Sequence, residues 1–204
     1  SLLHPAGPID PEVPVLAVQA TDGRPIALWA NYSLHYVGGV PANLLSADYF
    51  GEFTRQFARL IDGNKSKPDF VAAITNGTSG DINNINFFEG RVTQPPFEQI
   101  RVVAVDVAES AHVAYERVEY QDWVPLKMQE TEIELGVRRP TAEELVRATK
   151  LIDDAGPGPW TDRRLIYANE TLDMSKYPAT VKVKLQAIRI GDLGIVSSPC
   201  ETFV

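Results

Sequence analysis

The sequence is poor in the residues that usually declare a function. It holds one cysteine, Cys200, two methionines and three histidines in 204 residues. A single cysteine excludes an internal disulfide framework and leaves the redox compartment open. No apolar run reaches about 18 residues, which excludes a transmembrane helix. Leu2-Leu3-His4-Pro5 has neither the charged start nor the apolar core of a signal peptide. Positive charge is also in deficit: 19 Lys and Arg stand against 27 Asp and Glu, a net −8. Such a chain lacks the basic face that a nucleic-acid binder needs. There is no Walker loop, no G-x-S-x-G elbow and no H-E-x-x-H. An EF-hand reading of Asp81-Ile82-Asn83-Asn84 fails, because position five would be Ile85 and no glycine or terminal glutamate falls in register. Internal repeats, heptads and low-complexity tracts are absent. The start at Ser1 and the stop at Thr202-Phe203-Val204, just after an apolar run, read as an interior stretch of a longer protein.

What is present suits one globular domain with a sizeable core: 44% of residues are hydrophobic and 23% charged. Gly7 to Val13 is a proline-stiffened entry segment. Val15 to Ala20 reads as a strand, Asp22-Gly23 as a hairpin turn, and Ile26 to Tyr32 as the returning strand. Ser46 or Asp48 caps a helix from Tyr49 to Ile61, with Phe50, Phe53, Phe57 and Leu60 as its core stripe and Asp62-Gly63-Asn64 as its stop. Phe70 to Thr75 is a short apolar run of a buried strand. A long helix, Phe97 to Glu119, buries Ile100, Val103, Ala104, Val107, Ala111, Ala114 and Val118, with His112 as a structural residue beside that face. Val124 to Val137 alternates imperfectly as a strand that is polar on one side. Thr141 caps a helix to about Asp154, and Thr161 or Asp162 caps another through Met174. Thr180 to Ile190 and Leu193 to Ser198 are strands joined by Gly191-Asp192. The expected fold is α/β: a mixed, largely parallel sheet flanked by helices, forming a single domain over residues 1–204.

Three polar clusters sit just beyond three apolar strands. His35 follows the strand ending at Tyr32, in a loop broken by Gly38-Gly39. Asn76-Gly77-Thr78-Ser79-Gly80-Asp81 and the following Asn83 succeed the Phe70 strand. Glu201 follows the last strand after Pro199-Cys200. Beyond a strand's carboxyl end, glycines let the backbone approach a ligand and consecutive N–H groups can cradle an anion. Each cluster has a plainer reading: a turn that ends a strand, a packed histidine, a solvated glutamate. If the three ends share one sheet edge, an imidazole and a carboxylate converge beside a glycine-rich loop. Both are good zinc ligands, but a catalytic zinc takes about three protein ligands, and two are identifiable here.

An ordered set of motifs adds to this. Gly7 to Val13, Asn31-Tyr32-Ser33-Leu34-His35, Ser46-Ala47-Asp48-Tyr49-Phe50-Gly51, Gly77 to Asn84, and Gly191 to Thr202 together resemble the neutral/alkaline (non-lysosomal) ceramidases and their bacterial homologues. The likeness spans most of the chain, which would be part of a catalytic domain truncated at both ends. The resemblance implies a mixed α/β domain with one zinc that hydrolyses the amide of N-acylsphingosines through an activated water. It also implies a small lipid-amide substrate, peripheral contact with a membrane, and a secreted or periplasmic setting. Carried over by position, His35 and Glu201 resemble two of the zinc ligands. The family's other histidine would precede Ser1, and its tyrosine would follow Val204. Gly80-Asp81-Ile82-Asn83-Asn84 resembles the family's G-N/D-x-S-P-N, with Asn83 where the active-site serine stands and Asn84 in place of the proline. The candidates are therefore His35 and Glu201 for metal, Gly80, Asp81 and Asn83 for catalysis, and Asn76, Gly77 and Thr78 for substrate. Because Asn83 lacks a hydroxyl, two further readings stay open: a non-catalytic binding or structural domain, and a hydrolase of a different amide.

Overall fold

The computed structural model of the chain describes residue 4 and residues 7–62, 70–89 and 92–204. These form two compact units, one of residues up to Val124 together with Cys200–Val204, the other Pro125–Pro199.

The first unit is built on three strands in the order β1-β2-β3. β1 (Val15–Gln19) and β2 (Pro25–Tyr32) are antiparallel, with Val15 opposite Ala30. They are joined by the Asp22-Gly23 turn, where Gly23 takes a φ of +85° that favours glycine. β3 (Val71–Asn76) runs parallel to β2, with Ala27 opposite Val71 and Tyr32 opposite Asn76. A parallel pair requires a crossover, and helix α1 (Asp48–Asp62) supplies it. The proposed stop at Gly63-Asn64 lies outside the described residues. Leu28 and Ala30 of β2 and Ala72 and Ile74 of β3 point inward by the strand period of two. They meet Tyr49, Phe53 and Phe57 of α1, and Ile100, Ala104, Val107, Ala108 and Ala111 of helix α2 (Glu98–Tyr115). The stripe of α1 thus runs through Tyr49, Phe53 and Phe57, all fully buried. Phe50 only packs partly against it, and Leu60, expected in the core, is 41% exposed. His112 lies against Phe57 and Tyr115, with ring centroids 6.2 Å from each.

The second unit has strands in the order β4-β5-β6, all antiparallel. β4 is Leu126–Gly136, β5 Thr180–Ile190 and β6 Leu193–Ser197. Between β4 and β5 the chain makes two helices that pack on each other, α3 (Ala142–Ala155) and α4 (Arg163–Met174), each burying a small alanine, Ala148 and Ala168. Both caps follow the sequence. Thr141 and Glu144 form a reciprocal capping box, and Asp162 Oδ1 accepts the amide of Arg164 at 2.9 Å. The β4–β5 ribbon changes sides along its length. On one face Leu126 and Met128 stand opposite Ile190 and Ile188, then Glu130, Glu132 and Glu134 stand opposite Gln186, Lys184 and Lys182. On the other face Lys127 opposes Arg189, then Ile133 and Leu135 oppose Val183 and Val181. This exchange is why β4 alternates imperfectly in sequence.

The α/β class therefore stands, with two three-stranded sheets and four helices among the described residues. The single, largely parallel sheet does not. Only β2 and β3 are parallel: the Asp22-Gly23 and Gly191-Asp192 turns are too short to join anything but antiparallel neighbours, and β4 and β5 are antiparallel across the two helices between them.

Candidate active site

β2 and β3 end side by side at Tyr32 and Asn76 and run the same way, so the loops that follow them leave from one edge of the first sheet. That is the edge at which α/β proteins build sites. The two loops are sewn together by Ser33, which is fully buried. Its hydroxyl donates to Asp10 Oδ2 at 3.0 Å and accepts from both the amide and the hydroxyl of Thr78, each at 3.1 Å. The Gly77 amide donates to Tyr32 O at 3.0 Å. Gly77 is required here. A Cβ would collide with Ser33 Oγ and lie 2.7 Å from Asn31 Oδ1. Asn76 Nδ2 donates to the buried Ser79 Oγ at 2.8 Å. The polar groups of Asn76 and Thr78 and the bare backbone of Gly77 are thus engaged in building the loop.

The loop of His35 is held from three sides. Tyr49 Oη donates to Leu34 O at 3.1 Å. The carboxylate of Asp48 accepts the amides of Val37 and Gly38, both at 2.8 Å. Asn84 Nδ2 donates to Val37 O at 3.3 Å. Burial is the main cause that raises the Tyr49 hydroxyl well above its usual range, with Tyr32 and Asp48 adding to it, and burial ahead of Asp106 raises Tyr32. Both phenols therefore stay neutral at ordinary pH, and Tyr49 keeps its proton to donate to Leu34 O. His35 Nδ1 lies 3.2 Å from Tyr36 O. If Nδ1 carries the proton, it donates to that carbonyl and Nε2 presents a lone pair.

Nε2 faces Glu201 Oε1 at 3.8 Å, with the two side chains 34% and 55% exposed. Two donors bound to one tetrahedral zinc at about 2.0–2.2 Å stand about 3.3 Å apart, so a small adjustment fits this pair to a metal. Among the described residues no group of three or more His, Cys, Asp or Glu side chains gathers to complete a ligand set. The route by which Glu201 arrives differs from the expected one. Leu193–Ser197 lies in the second sheet, antiparallel to β5, and is no parallel neighbour of β2 and β3. Glu201 instead comes with residues 200–204, which belong to the first unit. There Gly80 donates to Thr202 O at 2.9 Å and Asp81 Oδ2 accepts the amide of Val204 at 3.3 Å. The structure thus brings Glu201 to His35, and the residues that follow Glu201 to Gly80 and Asp81. Asn83 is exposed, and its Oδ1 accepts the amide of Asn84 at 2.8 Å.

Sequence reasoning missed three residues that shape this edge: Asp10, Asp48 as a clamp, and Asn84. Asp10 stands between Ile9 and Pro11 in the stiff entry segment, and Asp48 read only as a helix cap. For Asp48 the available signal was an acid at the start of the helix that follows the Gly38-Gly39 loop.

No family model and no curated protein sequence matches the chain. Solved structures do. The crystal structure of neutral ceramidase from Pseudomonas aeruginosa superposes with a TM-score of 0.61 at 17% identity, over 92% of this chain and 34% of its own. A ceramidase complexed with C2 superposes at 0.59 and 17% identity, over 92% of this chain and 36% of its own. The chain spans about a third of the length of these enzymes. Over that third, it carries the fold of the neutral ceramidases.

Proposed function

We propose that the chain is part of a zinc-dependent hydrolase that cleaves the amide of a lipid such as an N-acylsphingosine. The observation that carries this reading is the approach of His35 Nε2 and Glu201 Oε1 to 3.8 Å, on the edge where parallel β2 and β3 end. His35 and Glu201 would hold the ion together with residues outside this chain. Zinc, when bound, lowers the pKa of water and polarises a carbonyl. The chain's own residues orient and support. Tyr49, Asp48 and Asn84 fix the loop that carries His35, and Tyr36 O sets the tautomer that leaves Nε2 for the metal. The side-chain NH₂ of the exposed Asn83 is suited to hold the amide oxygen as it gains charge. Tyr36, Leu44 and Leu45 on one loop and Phe87 and Phe88 on the other are exposed apolar residues, in keeping with a substrate that has a hydrocarbon chain.

A second reading, a binding domain without catalysis, draws on Asn83: it offers no hydroxyl, and its side-chain oxygen turns to Asn84. The deciding experiment is metal analysis of the full-length protein, followed by an amide-hydrolysis screen with short- and long-chain N-acylsphingosines and non-sphingolipid amides. Stoichiometric zinc with turnover of a lipid amide supports the enzyme. Zinc without turnover of any amide favours the binding domain, and absence of zinc overturns the metal reading.

A further inference from the structure

We propose that Gly80 and Asp81 are positioning residues that deliver Glu201 to His35, and that neither reacts with substrate; the proposal rests on the reading of His35 and Glu201 as zinc ligands. Glu201 follows a strand of the other sheet, so its place beside His35 is not set by strand pairing with β2 or β3. Contacts that hold its segment in the first unit follow from the next residue on. The Gly80 amide donates to Thr202 O at 2.9 Å, and the Val204 amide donates to Asp81 Oδ2 at 3.3 Å. Between these two bonds the ring of Phe203 covers Gly80 so closely that a Cβ there would lie 2.5 Å from Cε2, 2.6 Å from Cζ and 2.7 Å from Cδ2. Separations of that size do not occur between unbonded carbons, whose contact optimum is about 3.5–4.0 Å. Gly80 is therefore explained by a protein ring lying on it, and needs no ligand approach.

The arrangement has a chemical consequence. Glu201 is more than half exposed on its side chain and has three rotatable bonds, so its carboxylate is held near His35 mainly by where its backbone is fixed. The Gly80–Thr202 bond fixes that backbone at the adjacent residue. The Asp81 carboxylate faces the Val204 amide, which suits an anchor better than a proton-transfer group aimed at substrate. Supports of this kind, one step removed from a ligand, are worth about 10–100-fold in metal affinity.

The test is a zinc titration against a competing chelator on the full-length protein. Gly80→Ala should lower zinc affinity about 10–100-fold. Adding Phe203→Ala should restore part of it, since the colliding ring is gone. In a Glu201→Ala background, Gly80→Ala should change nothing. Wild-type affinity in Gly80→Ala, no recovery in the double variant, or an undiminished loss in the Glu201→Ala background would each overturn the proposal. Should Gly80→Ala not fold, Asp81→Asn keeps the shape of the side chain and weakens only the Val204 contact. It should lower affinity by a smaller factor, and equal affinity would count against the proposal. A wild-type protein that binds no zinc would instead sink the proposed function. Positioning would then be judged by amide hydrogen exchange: the Gly80 amide should be protected and should exchange faster in Phe203→Ala, and an unprotected Gly80 amide overturns it.

Discussion

The carboxylate of Asp48 accepts the Gly38 amide at 2.8 Å and so ties the loop of His35 to the first turn of α1. The same side chain takes the Val37 amide at 2.8 Å and its neighbour's, that of Tyr49, at 2.7 Å. Asp48 holds this position with a φ of +53°, left-handed for a residue with a Cβ, and such strain costs on the order of 1–3 kcal/mol. Each bond from an amide to a charged acceptor returns about 1.5–3 kcal/mol. Asp48→Ala should therefore destabilise the protein by about 2–4 kcal/mol in urea unfolding. Asp48→Asn, which tolerates the same φ but keeps only one acceptor oxygen, should lose roughly half of that. An Ala variant as stable as the wild type would mean that water replaces the clamp at no cost.

His35→Ala in the full-length protein should abolish zinc binding, at least about 100-fold in affinity, and with it amide hydrolysis. The far-ultraviolet circular dichroism should stay unchanged, because the side chain is one-third exposed and lies outside the core cluster. Glu201→Gln should weaken zinc less, since the amide oxygen still coordinates. Metal retained with full turnover in His35→Ala would remove His35 from the ligand set. Unfolding without metal loss would make it a packing residue.

Gly77→Ala should cost about 1–3 kcal/mol, the range for overpacking. The added methyl meets Ser33 Oγ, which is fully buried and held by Asp10 and Thr78 and so cannot swing away as a surface side chain can, and Asn31 Oδ1, whose side-chain nitrogen is tied to Thr75. Thermal denaturation checks it. Pairing the variant with Ser33→Ala should recover part of the loss and leave Thr78 without its partner oxygen.

The pH dependence turns on Tyr49. Its folded pKa lies above the unfolded value of about 10, chiefly through burial. Below pH 10 both states hold the proton, and the contribution is fully present. Above it the unfolded chain ionises first, so stability falls as pH rises toward the folded pKa. In Tyr49→Phe that alkaline slope should flatten. The variant should also be about 1–3 kcal/mol less stable at neutral pH, because Leu34 O loses its donor in a buried place. An unaltered alkaline slope, measured by urea unfolding between pH 8 and 11, would show that other groups carry it.

The local elements were legible because their signals are local. The apolar runs of β2 and β3, the Asp22-Gly23 turn, and the caps at Thr141 and Asp162 each lie within a few residues of one another. The phase of α1 was not. Phe53 and Phe57 are buried as expected, but the stripe is completed by Tyr49, which bonds Leu34 O of another loop, and not by Phe50 and Leu60; both choices fit a period of 3.6. Partners across a tight turn were legible, β1 with β2 and β5 with β6; the pairing of β4 with β5 was not, since a period of two says how a strand faces and nothing of what it pairs with. His35 and Glu201 do meet, as a shared sheet edge would require, but by another route. Glu201 is carried there by Thr202, Phe203 and Val204 lying on Gly80 and Asp81, contacts that join residues more than 100 positions apart.

The change of sides along β4 and β5 bears on how that pair finds its alignment. In a tight hairpin the turn dictates which residues face each other. Here two helices intervene, and no turn can dictate it. A slip of one residue would set Glu132 and Glu134 against Leu185 and Val183, and Ile133 and Leu135 against Lys184 and Lys182. Every mispairing on one face is thus duplicated by a second on the other. The two strands carry a double check on their own registration, written in side chains, and whatever is inserted between them is free to vary without disturbing it.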